Sequence, residues 1–145
     1  LLIGGGTGYA PLRSMLHSLL EVGDRRPLHL YWGAQSANDL YEDEQIRALC
    51  SKHPNLRYVP VLSAPNAQDQ WQGRQGWVHA VALADHPDIA RFDVYASGPP
   101  VMVETIRSEF VQHGLPVEQL FFDSFDFAPD VLAKLPSTAP LDPET

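Results

Sequence analysis

Short apolar runs and helix-period segments take turns along this chain, and that alternation limits its folds more than any other feature. Leu28–Ala34 (LHLYWGA), Leu56–Leu62 (LRYVPVL), Phe92–Ser97 (FDVYAS) and Leu120–Phe125 (LFFDSF) read as strands, and Leu1–Ile3 as the end of another. Between them, Leu12, Met15, Leu16, Leu19 and Leu20 share one face of a helix predicted over Pro11–Val22, with Gly23 as its stop. A helix is predicted over roughly 39–52, capped by Asn38 or Ser36, with Asp39, Glu42, Asp43 and Glu44 in its first turns, where acids suit the helix dipole. A short one is predicted over Val78–Ala84. Another spans Pro99–His113, where Val103, Ile106, Phe110 and Val111 share a face and Gly114 ends the run. The pattern predicts an α/β fold: a doubly wound, five-stranded parallel sheet in the order 3-2-1-4-5, with helices on both faces. Pro60 removes a donor from the third strand and suggests an edge position. Residues 63–76 read as a polar loop, residues 1–127 as one domain, and 128–145, with four prolines and no periodicity, as a tail.

A chain of 145 residues is long enough for one domain with a real core. Its charge of −8 and only ten Lys and Arg argue against a nucleic-acid surface. No apolar run approaches bilayer length, so no membrane insertion is expected. The single cysteine, Cys50, excludes an internal disulfide framework or a Cys-rich metal site in this segment, and suits a reducing, cytoplasmic compartment. The six histidines lack metal-ligand spacing, so no metal site is expected. His79 reads as a cap or packing residue, and Tyr31, Trp32 and Phe122 as core.

In a doubly wound sheet, ligands bind beyond the carboxyl ends of the strands. Here those ends carry Gly4–Pro11, Gly33-Ala34, Ser63-Ala64 and Ser97-Gly98-Pro99-Pro100. The first is the most informative. Glycines without Cβ atoms, leading into a helix, offer N–H groups and a positive helix end to phosphate. Gly6-x-Gly8-x-x-Pro11 supplies that geometry, and Pro11 in the first helical turn forfeits no hydrogen bond. No Lys follows the run, which excludes a P-loop. Strand two ends Tyr31-Trp32-Gly33-Ala34 without the acid of the usual Rossmann fingerprint. The residues themselves therefore argue for a pyrophosphate-binding strand–turn–helix of a different family.

Five motifs, in order, resemble the pyridine-nucleotide domain of the ferredoxin–NADP reductase superfamily, in the branch of flavin reductases, oxygenase reductase components and CDP-glucoseen reductases. They are Gly5-Gly6-Thr7-Gly8-Tyr9-Ala10-Pro11; Leu30–Ala34 with Asp39-Leu40-Tyr41; Gly76-Trp77-Val78-His79; Val94–Val103; and Phe122-Asp123-Ser124-Phe125. The resemblance implies a domain that docks on a flavin-binding barrel and binds NAD(P)H in the cleft between, passing hydride to FAD or FMN. That barrel is expected upstream of Leu1. The implied partners are the flavin domain of the same chain and a downstream acceptor: an oxygenase, an iron–sulfur protein or free flavin. By the same resemblance Gly5, Gly6, Thr7 and Gly8 face the pyrophosphate and nicotinamide side, with Pro11 closing the motif. Gly33 and Ala34 lie along the adenosine half, and Gly98, Pro99 and Met102 form the nicotinamide-side wall. Ser97 stands where many relatives have a Cys near the hydride-transfer centre, and Phe125 matches the near-terminal aromatic beside the flavin–nicotinamide stack.

Relatives that use NADPH often place Ser-Arg after strand three. Here the place reads Ser63-Ala64-Pro65, and Arg74 is the only nearby substitute, so NADH is favoured. Two other readings stand beside the reductase: a stand-alone or regulatory nucleotide-binding module, and the reductase end of a haem fusion such as flavohaemoglobin.

Overall fold

The computed structural model describes residues 1–124. Six parallel strands form one sheet in the order β4-β3-β2-β1-β5-β6. They are β1 (Leu2–Gly5), β2 (Leu28–Ala34), β3 (Leu56–Leu62), β4 (Arg74–Gln75), β5 (Val94–Gly98) and β6 (Leu120–Ser124). The five long strands keep the expected order. The sixth is the two-residue β4, inside the segment read as a loop. It pairs with Val61 and Leu62, just past Pro60, so it covers only the end of β3. Two residues are too few to show a strand period in sequence.

Strand alternation builds two cores. Leu2, Leu30 and Trp32 face α1 (Tyr9–Glu21) and α2 (Asp43–Lys52), meeting Leu12, Leu16 and Ile46. Ile3, Tyr31 and Val61 face α3 (Val78–Asp85) and α4 (Pro100–Gln112), meeting Val81, Ile106 and Phe110. Both long helices end as the sequence predicts. Gly23 at φ +74 and Gly114 at φ +102 carry left-handed turns. Asp24 and Leu115 donate back to Leu19 and Phe110, closing a Schellman motif at each helix.

The helix expected over 39–52 is divided. Ser36 caps a single 3-10 turn, Ala37–Asp39, whose Asp39 carboxylate accepts from the Ser36 backbone and hydroxyl at 3.3 and 3.1 Å. Leu40 then leaves helical backbone, at φ −83 and ψ 71, with its side chain buried in the α1/α2 core. The α-helix proper starts at Asp43. Phe125 and the residues read as a tail lie outside the described residues, as does that part of the domain boundary. Among the described residues no helix is long and apolar enough to cross a membrane.

Candidate functional site

The carboxyl ends of β1, β2, β3 and β5 open into a cleft of about 610 Å³. Of the predicted site residues, the structure brings Gly5, Gly6, Thr7, Gly33, Ala34, Pro99 and Met102 to its walls. Gly8, Ser97 and Gly98 are buried behind that surface, and Pro11 does not line it. The volume is of the size that ligand sites use. Among the described residues no Lys or Arg lines it, so an anion there is met by backbone N–H groups and helix ends rather than by their side-chain cations. α1 begins directly after the glycine loop, and α4 begins beside Pro99.

The glycines do not share one purpose. Gly6 sits at φ +56, a left-handed conformation, and a Cβ added there would meet nothing within 4 Å. It is the open floor of the cradle. Gly8 has ordinary helical φ and ψ, but a Cβ on it would overlap the Ser97 carbonyl oxygen and lie 2.6 Å from its carbon. Its bareness lets the start of α1 touch β5. Gly5 and Gly98 both make room for Met102, and Gly33 for Val78 at 2.7 Å. The sequence reading gave most of these glycines to the ligand; rigid neighbours also require Gly8 and Gly33 to be bare, whereas a Cβ at Gly5 or Gly98 crowds only the flexible end of Met102.

Behind the loop stands an aromatic support. The Trp32 indole N–H donates to the Gly6 carbonyl at 2.8 Å, which fixes the unusual turn. Tyr9 stacks on Trp32 at 4.2 Å between ring centroids, and Tyr41 meets both rings edge-on. The Tyr9 hydroxyl donates to Glu42 at 3.2 Å, and Arg13 donates to the same carboxylate oxygen at 2.9 Å. Burial first, then the Glu42 charge, push the Tyr9 phenol well above its ordinary pKa, so it stays a neutral donor.

Ser97, fully buried at the carboxyl end of β5, carries the one buried side-chain polar atom without a hydrogen-bond partner among the described residues, its Oγ. His79 lines the cleft and points its Nε2 toward a Glu109 oxygen 3.4 Å away, tying α3 to α4. Arg74 does not enter the cleft. Its guanidinium makes two 3.0 Å bonds to the Asp85 carboxylate, and the Tyr31 hydroxyl donates to the same group at 2.8 Å.

Trp77 and Tyr41 also line the cleft, with 69% and 51% of their surface exposed. Neither was singled out as a site residue, although both lie in the quoted motifs. Gly76 at φ +117 aims the chain into Trp77, and a glycine turn followed by a large aromatic was the available signal. Gln35, Asn38 and Asp39 complete the outer wall; Asp39 reaches it as the cap acid of its own turn. Among the described residues no group of three His, Cys, Asp or Glu is placed to hold a metal.

Comparison with known proteins agrees with this geometry. The family described as oxidoreductase NAD-binding domain matches residues 2–108. The chain is 40% identical over 123 residues to the CDP-6-deoxy-L-threo-D-glycero-4-hexulose-3-dehydrase reductase of Yersinia pestis, covering 85% of this chain and 36% of that protein. It is 34% identical over 128 residues to a probable flavin reductase of Aliivibrio fischeri, covering 88% and 53%. Among solved structures it superposes on the Amycolatopsis cytochrome P450 reductase GcoB with a TM-score of 0.78 and 31% identity, over 86% of this chain and 36% of that one. The chain thus spans between a third and about half of these relatives. The matched family, the strand order and the glycine cradle agree, and the chain belongs to the oxidoreductase NAD-binding domains of the ferredoxin–NADP reductase superfamily.

Proposed function

We propose that this chain is the NAD(P)H-binding part of a flavin-dependent reductase, with NADH as the preferred donor. The observation that carries the reading is the open Gly6 cradle at the carboxyl ends of the strands, fixed by Trp32 and flanked by two helix starts. In this reading Gly6 and Thr7 hold the pyrophosphate, and Gly33 and Ala34 run along the adenosine. Pro99 and Met102 press on the nicotinamide side. Gly5, Gly8 and Gly98 act indirectly, by letting Met102 and β5 pack close to the cradle. Pro11, third residue of α1, lies in its first turn, where a missing N–H forfeits no helical bond. Ser97 keeps the place beside the hydride-transfer centre that the resemblance implies, its hydroxyl buried and unpartnered just behind the cleft surface. Phe125 retains its proposed place beside the flavin.

FAD or FMN on another domain supplies the hydride acceptor. Phe122, expected in the core, is instead 53% exposed on the edge strand β6, and with Val101, 80% exposed, it forms apolar surface suited to covering by such a domain. Onward transfer to an oxygenase, an iron–sulfur protein or free flavin is in keeping with the names of the relatives, which include reductase components of phenol-oxidising enzymes. The NADH preference rests on Arg74, which the Asp85 carboxylate already occupies, and on the absence of cations from the cleft wall.

The test is purification of the full-length protein. A flavin absorbance that bleaches on adding NADH is expected. A colourless protein that binds NADH would point to a stand-alone nucleotide module, and one that ignores NADH would end the reading altogether.

A further inference from the structure

Arg74 is poorly explained by the fold alone. It opens β4, opposite Val61, and two residues later Gly76 lines the cleft together with Ser63. Two residues of extended chain span about 7 Å, a distance an arginine side chain can cover. The Arg74 backbone thus lies within side-chain reach of the Ser63 and Gly76 end of the cleft, yet its guanidinium turns down the flank of α3 to the last residue, Asp85. Asp85 is well equipped to keep it there. Both carboxylate oxygens bond the guanidinium at 3.0 Å, a fork geometry that fixes orientation as well as distance. The Tyr31 hydroxyl, from the middle of β2, holds one of those oxygens at 2.8 Å, and His86 Nε2 lies 3.0 Å from the same hydroxyl.

We propose that Asp85 is a specificity-determining residue: it withholds Arg74 from the 2′-phosphate that distinguishes NADPH from NADH. The inference rests on the nucleotide-binding reading above. It assigns to Asp85 a function that a merely structural ion pair would lack. The pair is half-open to solvent, with side-chain exposures of 46% and 28%, so the restraint is worth a modest factor rather than an absolute block.

The test uses the full-length protein and two probes, 2′,5′-ADP and 5′-AMP, titrated by calorimetry. Asp85→Asn keeps the shape and an oxygen for Tyr31 but removes the charge. Affinity for 2′,5′-ADP is expected to rise about fivefold, the scale of a partly exposed ion pair, with 5′-AMP unchanged. Adding Arg74→Gln to that variant should erase the gain. In the wild-type background Arg74→Gln should change neither affinity, a measurement that does not depend on Asp85→Asn folding. A folded Asp85→Asn with an unchanged ratio of the two affinities overturns the proposal. So does a several-fold loss of 2′,5′-ADP affinity in Arg74→Gln alone, which would mean that Arg74 is already engaged. Wild-type protein that binds neither probe would instead overturn the nucleotide-binding reading, and this inference with it.

Discussion

Replacing Gly8 and Gly6 by alanine, one at a time, separates packing from ligand binding within three residues. Gly8 has φ −60 and ψ −12, so alanine suits its backbone. The new methyl, however, would overlap the Ser97 carbonyl oxygen and lie 2.9 Å from the Gly98 Cα. These are main-chain atoms of a strand paired on both sides, and no rotamer change relieves them. Overpacking of this kind costs about 3 kcal/mol, the upper part of the usual range. Gly6→Ala meets no atom within 4 Å but must hold φ +56. That strain is about 1–2 kcal/mol, offset by about 0.4–1 kcal/mol from the stiffer unfolded chain. Gly23→Ala is the control: φ +74, equally open, and at the far end of α1. Urea unfolding should therefore rank Gly8→Ala far below Gly6→Ala and Gly23→Ala, which should agree within about 0.5 kcal/mol. NADH titration should rank them differently. Gly6→Ala alone of the two open sites should lose about tenfold in affinity, through a methyl placed where the proposed site would bring phosphate oxygens. A Gly8→Ala as stable as wild type would refute the contact argument. A Gly6→Ala that binds NADH normally would remove the cradle from the site.

Trp32→Phe keeps the stack on Tyr9 but deletes the donor to the Gly6 carbonyl, and should cost about 1 kcal/mol in stability together with a several-fold loss of nucleotide affinity; equal affinity would show that the loop needs no anchor. Ser97→Ala removes a buried hydroxyl with no partner, so thermal melting without nucleotide should be unchanged or up to about 1 kcal/mol more stable, and a loss of more than that would mean the hydroxyl is already satisfied. His29 is held neutral: burial first, and then the neighbouring His86, lower its pKa from 6.5 to about 4. Its unfolded form takes up a proton at higher pH than its folded form, so it costs the fold stability as pH falls from about 6.5 to about 4. His29→Phe should flatten the acid side of the stability profile in that window, and an unaltered slope would exclude His29 as its source.

The fold was legible because its main signals are local and repeated. Leu12, Leu16 and Leu20 recur at helical spacing, LHLYWGA has the length of a buried strand, and Gly23 and Gly114 stand where left-handed turns end helices. Each follows from backbone geometry that a single segment carries in its own composition. What escaped depends on partners distant in the chain. Arg74–Gln75 is a strand only because Val61 and Leu62 present an open edge, and nothing in the two residues announces it. Leu40 breaks a promising helix because the core behind it takes its side chain. Propensity loses there to burial.

The site shows the same division at finer scale. The position of the glycine run, after a strand and before a helix, placed the cleft correctly. Which glycine does what was invisible, because a missing Cβ looks the same whether the space belongs to a ligand or to a neighbour. Gly8 is bare for Ser97, Gly5 and Gly98 are bare for Met102, and Gly33 is bare for Val78. Those pairings join residues between 4 and 97 positions apart, and no local pattern encodes them. Positive φ and empty surroundings, which Gly6 shares with Gly76 at the cleft wall, separate accommodation of a ligand from accommodation of the fold. A cluster of glycines at a strand end is thus two devices superposed: a close-packed base that brings α1, α4 and β5 together, and one open residue that this packing aims at the cleft. Loss of the first should weaken both stability and binding, and loss of the second should weaken chiefly binding.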